Sequence, residues 1–212
     1  MKSFSIPGRA PSVKQRGVAL FFALIALLAI SLAAVALIRS VDTSTLIAGN
    51  LSFKQSATSS GDLGVEAAIS WLTTTQANNS AMNVLTNSAH PFNVTTAASG
   101  YYSNADPTVS LTDGTGIQWN NNDSVLVGTD ASGNTSRYVI QRMCRVANTI
   151  IPNAGCLFSS PVQDNNGQNI PLPQDICQGA GCPVAGQTPQ IRITARTTGP
   201  RNTVSYVQAF VY

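Results

Sequence analysis

Charge is scarce in this chain: Asp, Glu, Lys and Arg make up 10% of its 212 residues, where soluble enzymes carry nearer a quarter. It has one histidine, His90, and one glutamate, Glu66, which leaves few groups for acid–base chemistry. No G-x-S-x-G elbow, phosphate-cradling P-loop, H-E-x-x-H or G-x-G-x-x-G is present. The four cysteines include no C-x-x-C pair, and His90 lies far from them in sequence and is followed by Pro91. No metal site and no cofactor are expected. A cysteine nucleophile would need a free thiol, so the sequence predicts no enzyme. Two further absences shape the N-terminal third. No acidic residue precedes Asp42, and no proline lies between Pro11 and Pro91, so nothing there forbids a long helix.

The formal charge of +3 is unevenly placed. Lys2, Arg9, Lys14 and Arg16 all precede the first apolar run, while beyond residue 41 seven basic residues face nine acidic ones. The basicity belongs to the N-terminal segment and gives no general case for nucleic acid as a partner.

What the chain does have is a long apolar run. Val18–Ile38 (VALFFALIALLAISLAAVALI) is 21 residues with no charge and one weakly polar residue, Ser31. As a helix it spans about 30 Å, the thickness of a bilayer core, and it shows no polar face. The basic residues before it predict a cytoplasmic N-terminus, with everything after Arg39 exported. Two cuts compete. Ala34-Val35-Ala36 fits signal peptidase and would release a soluble protein, although the apolar stretch is longer than an ordinary signal core and continues through that site. A cut after Gly17, in Lys14-Gln15-Arg16-Gly17, would instead leave the apolar segment on the mature chain.

The helix is expected to continue through residues 39–75. Gly61, Val65, Ala68, Ile69 and Leu72 fall on one stripe, and Leu46, Ile47 and Leu51 extend it toward the membrane. Gly49-Asn50 and Gly61 each weaken the helix by about 1 kcal/mol, so a break is expected there.

Residues 76–212 read as an exported, β-rich domain. Strand-like runs are Thr108–Leu111, Ser124–Val127, Arg137–Val146, Gln190–Thr197 and Thr203–Tyr212, the last two joined by a turn at Gly199-Pro200-Arg201-Asn202. The expected fold class is α+β: a long N-terminal helix, half membrane and half amphipathic, across a small, mostly antiparallel sheet of about four strands. Residues 147–189 interrupt the strands with 43 residues that hold six of the eleven prolines. They contain Cys156, Cys177 and Cys182, with Cys144 just before. On the oxidising side of a membrane an even count favours two disulfides. Of three possible connectivities the sequential one, Cys144–Cys156 and Cys177–Cys182, is favoured because each bond closes a short local loop; a nested Cys144–Cys182 arrangement, which would tie off the whole insertion, stays open.

Two weaker signals remain. Asp130-Ala131-Ser132-Gly133-Asn134 and Asp164-Asn165-Asn166-Gly167 resemble parts of calcium loops, and equally plain turns. Arg137, Arg142, Arg145, Arg192, Arg196 and Arg201 fall in or beside the C-terminal strands. Arg192 and Arg196 in particular define either a basic face for DNA or another ligand, or a solvated sheet face.

A short basic leader ending in Gly, followed by some twenty apolar residues kept on the chain, resembles a type IV prepilin. The QRG leader end (Gln15-Arg16-Gly17), Arg39-Ser40 and Thr43–Asn50 (TSTLIAGN) look like the minor pilins called PilX, as does Arg192–Arg196 before a Gly turn and a last strand. The resemblance covers residues 14–75 and 190–212. It implies leader residues 1–17, cleavage after Gly17, methylation of Val18, and a pilin-like fold. Pilins of this kind mostly carry Phe at the first mature position and Glu at the fifth; here these are Val18 and Phe22. That Glu is thought to meet a neighbour's charged N-terminus in the filament core, where an unpaired charge is costly. Its absence predicts a place at the filament tip or in the initiating complex. The implied partners are other major and minor pilins, prepilin peptidase, the bacterial inner membrane and a tip adhesin. The implied route runs from inner membrane and periplasm to a cell-surface pilus. A minor pseudopilin of a type II secretion system shares the leader. An anchored protein that binds DNA or another ligand through the arginines is a further alternative.

Overall fold

The structure is a computed structural model that describes residues 17–161, 163–169, 177 and 179–212. Leader residues 1–16 and part of the 147–189 insertion (162, 170–176 and 178) lie outside the described residues. The chain forms two compact units, Met1–Asn50 and Leu51–Tyr212. Helix α1 (Val18–Asn78) contributes to both.

Over Val18–Ile38, in the first unit, α1 is apolar all round. Phe21, Phe22, Leu27, Ile30 and Leu37 are each more than 60% exposed. Its hydroxyl groups are satisfied within the helix: Ser31 donates to the Leu28 carbonyl at 2.8 Å, and Thr43, Ser44 and Thr45 donate to carbonyls four residues back. Back-bonding of this kind removes the hydroxyl's need for water. The helix is long and apolar enough to cross a membrane. No break occurs at Gly49-Asn50 or at Gly61, contrary to expectation, and the helix extends three residues beyond the predicted residue 75.

The second unit is a mixed sheet with α1 on one face. Its strands are β1 (Tyr101–Tyr102), β2 (Val125–Thr129), β3 (Thr135–Arg142), β4 (Ile191–Gly199) and β5 (Thr203–Val211). β3, β4 and β5 are antiparallel neighbours, paired from Thr135↔Thr198 to Arg142↔Ile191 and from Ile191↔Val211 to Gly199↔Thr203. The other side of β3 is shared. β2 pairs antiparallel at Thr135–Tyr138 with a bulge between Leu126 and Gly128, and β1 pairs parallel at Ile140 and Gln141. That parallel pair makes the sheet mixed, where a mostly antiparallel one of about four strands was expected.

Two predicted strands change for local reasons. Thr108–Leu111 is irregular because side chains capture its backbone: Asp106 accepts from the Thr108 amide at 2.8 Å, Ser110 Oγ from Thr112 and Asp113, and Asp113 from Thr115. Such turns compete directly with a ladder. β3 ends at Arg142 rather than Val146, because the Cys144 amide turns back to the Arg142 carbonyl at 2.7 Å and Cys144 bonds to Cys156.

Both faces of the sheet carry a packed cluster. Toward α1, Tyr138 and Ile140 of β3 and Ile193 of β4 pack with Tyr101, Ala68 and Leu72. On the opposite face Val139 packs with Leu111, Ile117 and Trp119 of the irregular 103–124 segment, and Tyr206 joins them. The helix comes close to the sheet at two glycines. A Cβ on Gly61 would stand 2.6 Å from Val207 Cγ2, and one on Gly64 would stand 2.8 Å from Ala195 Cβ. These glycines are therefore contact points of α1 on the sheet, which is why Gly61 does not interrupt the helix.

Candidate functional site

Gly17, at the predicted processing point, is exposed in the turn preceding α1, and no atom lies within 4 Å of a Cβ built on it. Val18 opens the helix and is 52% exposed. Phe22, at the position where the resemblance leads one to expect a glutamate, is 65% exposed and lies edge-on to Phe21 with ring centroids 6.4 Å apart. This stretch carries no polar group that distinguishes one side of the helix from another, so it is a packing or lipid-facing surface.

The cysteines form two bonds, Cys144–Cys156 and Cys177–Cys182. The first closes a loop that carries the short helix α2 (Ile151–Ala154). The Arg145 and Val146 amides donate to the Ala154 carbonyl at 2.9 and 3.0 Å. Among the described residues no group of three or more His, Cys, Asp or Glu is placed to hold a metal ion. Asp130 closes a turn instead, accepting from the Ser132 and Asn134 amides at 2.8 and 2.9 Å and from Ser60 Oγ of α1. These donors, with the Asn134 side chain, hold the Asp130 carboxyl down to about 2.

Arg137, Arg192 and Arg196 are engaged within the fold, while Arg145 and Arg201 are exposed. Arg192 donates from Nη2 and Nε to Gln141 Oε1, at 2.6 and 3.2 Å. The Arg196 guanidinium sits 6.0 Å from the centroid of the Trp119 ring, and its Nε is buried without a partner. Arg137 donates to Ser124 and Asn121. The predicted basic or solvated face is half-buried at Arg192 and Arg196, and Trp119 of the 103–124 segment stands against Arg196. That segment's composition, all turn formers and isolated apolar residues, gave little sign of a lid.

Sequence reasoning also missed the buried centre of the second unit. Arg142 is 1% exposed. It donates to the Ser103 carbonyl at 2.9 Å, Asn93 Oδ1 at 2.6 Å and the Thr149 carbonyl at 2.9 Å. Among the described residues it meets no carboxylate, and burial lowers its pKa. His90 lies nearby, wholly buried. Its Nδ1 accepts from the Phe92 amide at 3.1 Å while Nε2 has no partner among the described residues. Desolvation first, and then the Arg142 charge, lower the His90 pKa. Three aromatic rings close this centre: Tyr101 stacks on Trp71 at 5.3 Å and lies 5.7 Å from Phe92. Beside it opens an apolar cavity of about 600 Å³, lined among others by Ile69, Leu72, Ile151, Ile191 and Val211.

The described residues present an apolar helix, a packed sheet with one uncovered edge, and an apolar cavity. No family model, no protein of curated function and no solved structure gives a significant match to this chain.

Proposed function

We propose that the chain is a minor pilin, similar to PilX, that initiates assembly of a type IV pilus or sits at its tip. The observation that carries this reading is the division of α1. The residues from Val18 to Ile38 offer an apolar surface with no covering contact among the described residues of their own unit. Those from Leu51 to Asn78 are fitted to a sheet through Ala57, Gly61, Gly64 and Ala68. A surface so apolar is stable only in lipid or among other apolar helices, and a filament supplies both environments in turn.

The mechanism is assembly rather than turnover. Cleavage after Gly17 leaves Val18 as the N-terminus; the helix waits in the inner membrane and then packs among sister helices. Phe22 brings no carboxylate to meet a neighbour's charged amine, which favours a terminal or initiating position over an internal one. The disulfides fit an oxidising, exported location. Arg192 and Arg196 are half-buried and engaged within the fold, which gives little support to nucleic acid as a partner.

Deleting the chain from a bacterium that carries it should sharply reduce its surface filaments, and a tagged copy should appear in the sheared filament fraction far below the major subunit. Normal filament numbers, with the tagged chain confined to the membrane fraction, would contradict the proposal.

A further inference from the structure

The sheet of the second unit ends, beyond β5, in an edge that no described residue covers. β5 pairs with β4 over nine residues without a bulge and has no strand on its other side. In an antiparallel strand alternate residues turn their N–H and C=O away from the existing neighbour, so this edge offers a regular row of free donors and acceptors. Edges of this length are normally blunted by lysine, proline, a bulge or a covering element. Thr203–Val211 (TVSYVQAFV) has no charged residue, no proline and no glycine. The opposite edge differs, since β2 is five residues long and bulged.

Side chains on both faces of the edge suit an extended guest. On the face away from α1, Val204 and Phe210 are 42% and 54% exposed. On the α1 face, Val211 and Tyr212 form part of the wall of the 600 Å³ cavity, together with Ile69, Leu72 and Thr73. A row of backbone groups at strand spacing is matched only by another extended chain, and an edge without charge gives no compensation for charges brought to it. The cavity has room for the largest side chain, whose seating would fix the register, as pockets do in strand-addition sites. We propose that β5 receives an extended, uncharged segment of a partner polypeptide. The segment adds antiparallel as a further strand and seats a large apolar side chain, near its own N-terminus, in the cavity beyond Val211. This inference rests on the second unit alone and stands apart from the pilin reading.

The test uses the full chain in detergent micelles with the capped peptide acetyl-Trp-Thr-Val-Thr-Val-Thr-Val-Thr-amide at millimolar concentration. The control is the same peptide N-methylated at alternate amides. Hydrogen exchange of the amides in Thr203–Val211 should slow by about tenfold or more with the first peptide and stay unchanged with the second. Phe210→Lys, at an exposed position that leaves the core intact, should abolish the slowing. The proposal is overturned by exchange that the peptide leaves unchanged, by equal slowing with the methylated peptide, or by slowing that survives Phe210→Lys. Amides already protected in a free chain that sediments as a dimer would also overturn it, because a second copy would then hold the edge.

Discussion

Gly64 gives the sharpest handle on how α1 meets the sheet. In an exposed helix, Gly→Ala stabilises by about 1 kcal/mol through chain entropy and backbone shielding. At Gly64 the new methyl would lie 2.8 Å from Ala195 Cβ, with Ala195 Cα at 3.9 Å and the Arg137 carbonyl oxygen at 3.8 Å. Ala195 is wholly buried in β4, and its Cβ has no rotamer by which to move away. Relief therefore requires lifting the helix from the sheet, and overpacking of this kind costs about 1–3 kcal/mol. Gly64→Ala is expected to destabilise the second unit by about 1 kcal/mol net, a fall in Tm of about 2–4 °C for a unit of this size. Gly61→Ala should cost less, because its obstacle is Val207 Cγ2, the end of a side chain that can rotate. The assay is thermal unfolding of the full chain in micelles, followed by near-ultraviolet circular dichroism of Trp71 and Trp119. A double-mutant cycle with Ala195→Gly should return about 1 kcal/mol of coupling. Stabilisation by Gly64→Ala, or additivity with Ala195→Gly, would refute the account of close approach.

Three other predictions follow from the buried centre, the far face and the insertion. The lowered pKa of His90 means that the folded state binds fewer protons than the unfolded state between the folded value and about 6.5. Stability should therefore fall as pH drops below about 6.5, by up to about 1.4 kcal/mol per pH unit until the folded value is reached. His90→Asn, which keeps an acceptor for the Phe92 amide, should flatten urea-denaturation stability over that window; an unchanged slope would exclude His90 as its source. Trp119→Ala should destabilise by about 3–5 kcal/mol and uncover Arg196, so DNA retention on a column at low salt that appears only in this variant would show that the 103–124 lid masks the arginines. Breaking Cys144–Cys156 by a Cys144→Ser and Cys156→Ser pair should cost about 3 kcal/mol on the chain-entropy account, against about 2 for the shorter Cys177–Cys182 loop; equal costs in urea unfolding would show that loop length does not set them.

The parts of this structure that were legible in the sequence are those governed by one strong local signal. Val18–Ile38 announced a helix by length and apolarity alone, and the alternation at Gln190–Thr197 and the Gly199–Asn202 turn marked β4 and β5. The stripe through Gly61, Ala68 and Leu72 identified the buried side of α1, though Ile69 is 38% exposed at the mouth of the cavity. Elsewhere tertiary packing decided matters that periodicity does not encode. Gly61 weakens a helix in isolation, yet here it is the point of contact with Val207. The two-residue β1 is too short to show alternation, and its parallel pairing depends on where residues 91–100 return the chain. Arg192 and Arg196 alternate as solvent-facing residues would and are half-buried, but a lid of Asx turns carrying Trp119 packs against Arg196. Lone aromatic residues among turn formers carry little warning of such a lid.

The account turns on where the mature chain begins. Co-expression with a prepilin peptidase, followed by mass determination of the N-terminal peptide, tests it most directly. The account predicts a peptide that starts at N-methylated Val18, with all of α1 retained on the mature protein. A peptide that starts at Leu37, after the Ala34-Val35-Ala36 site, would contradict it, because a chain without Val18–Ala36 has no helix with which to enter a membrane or a filament.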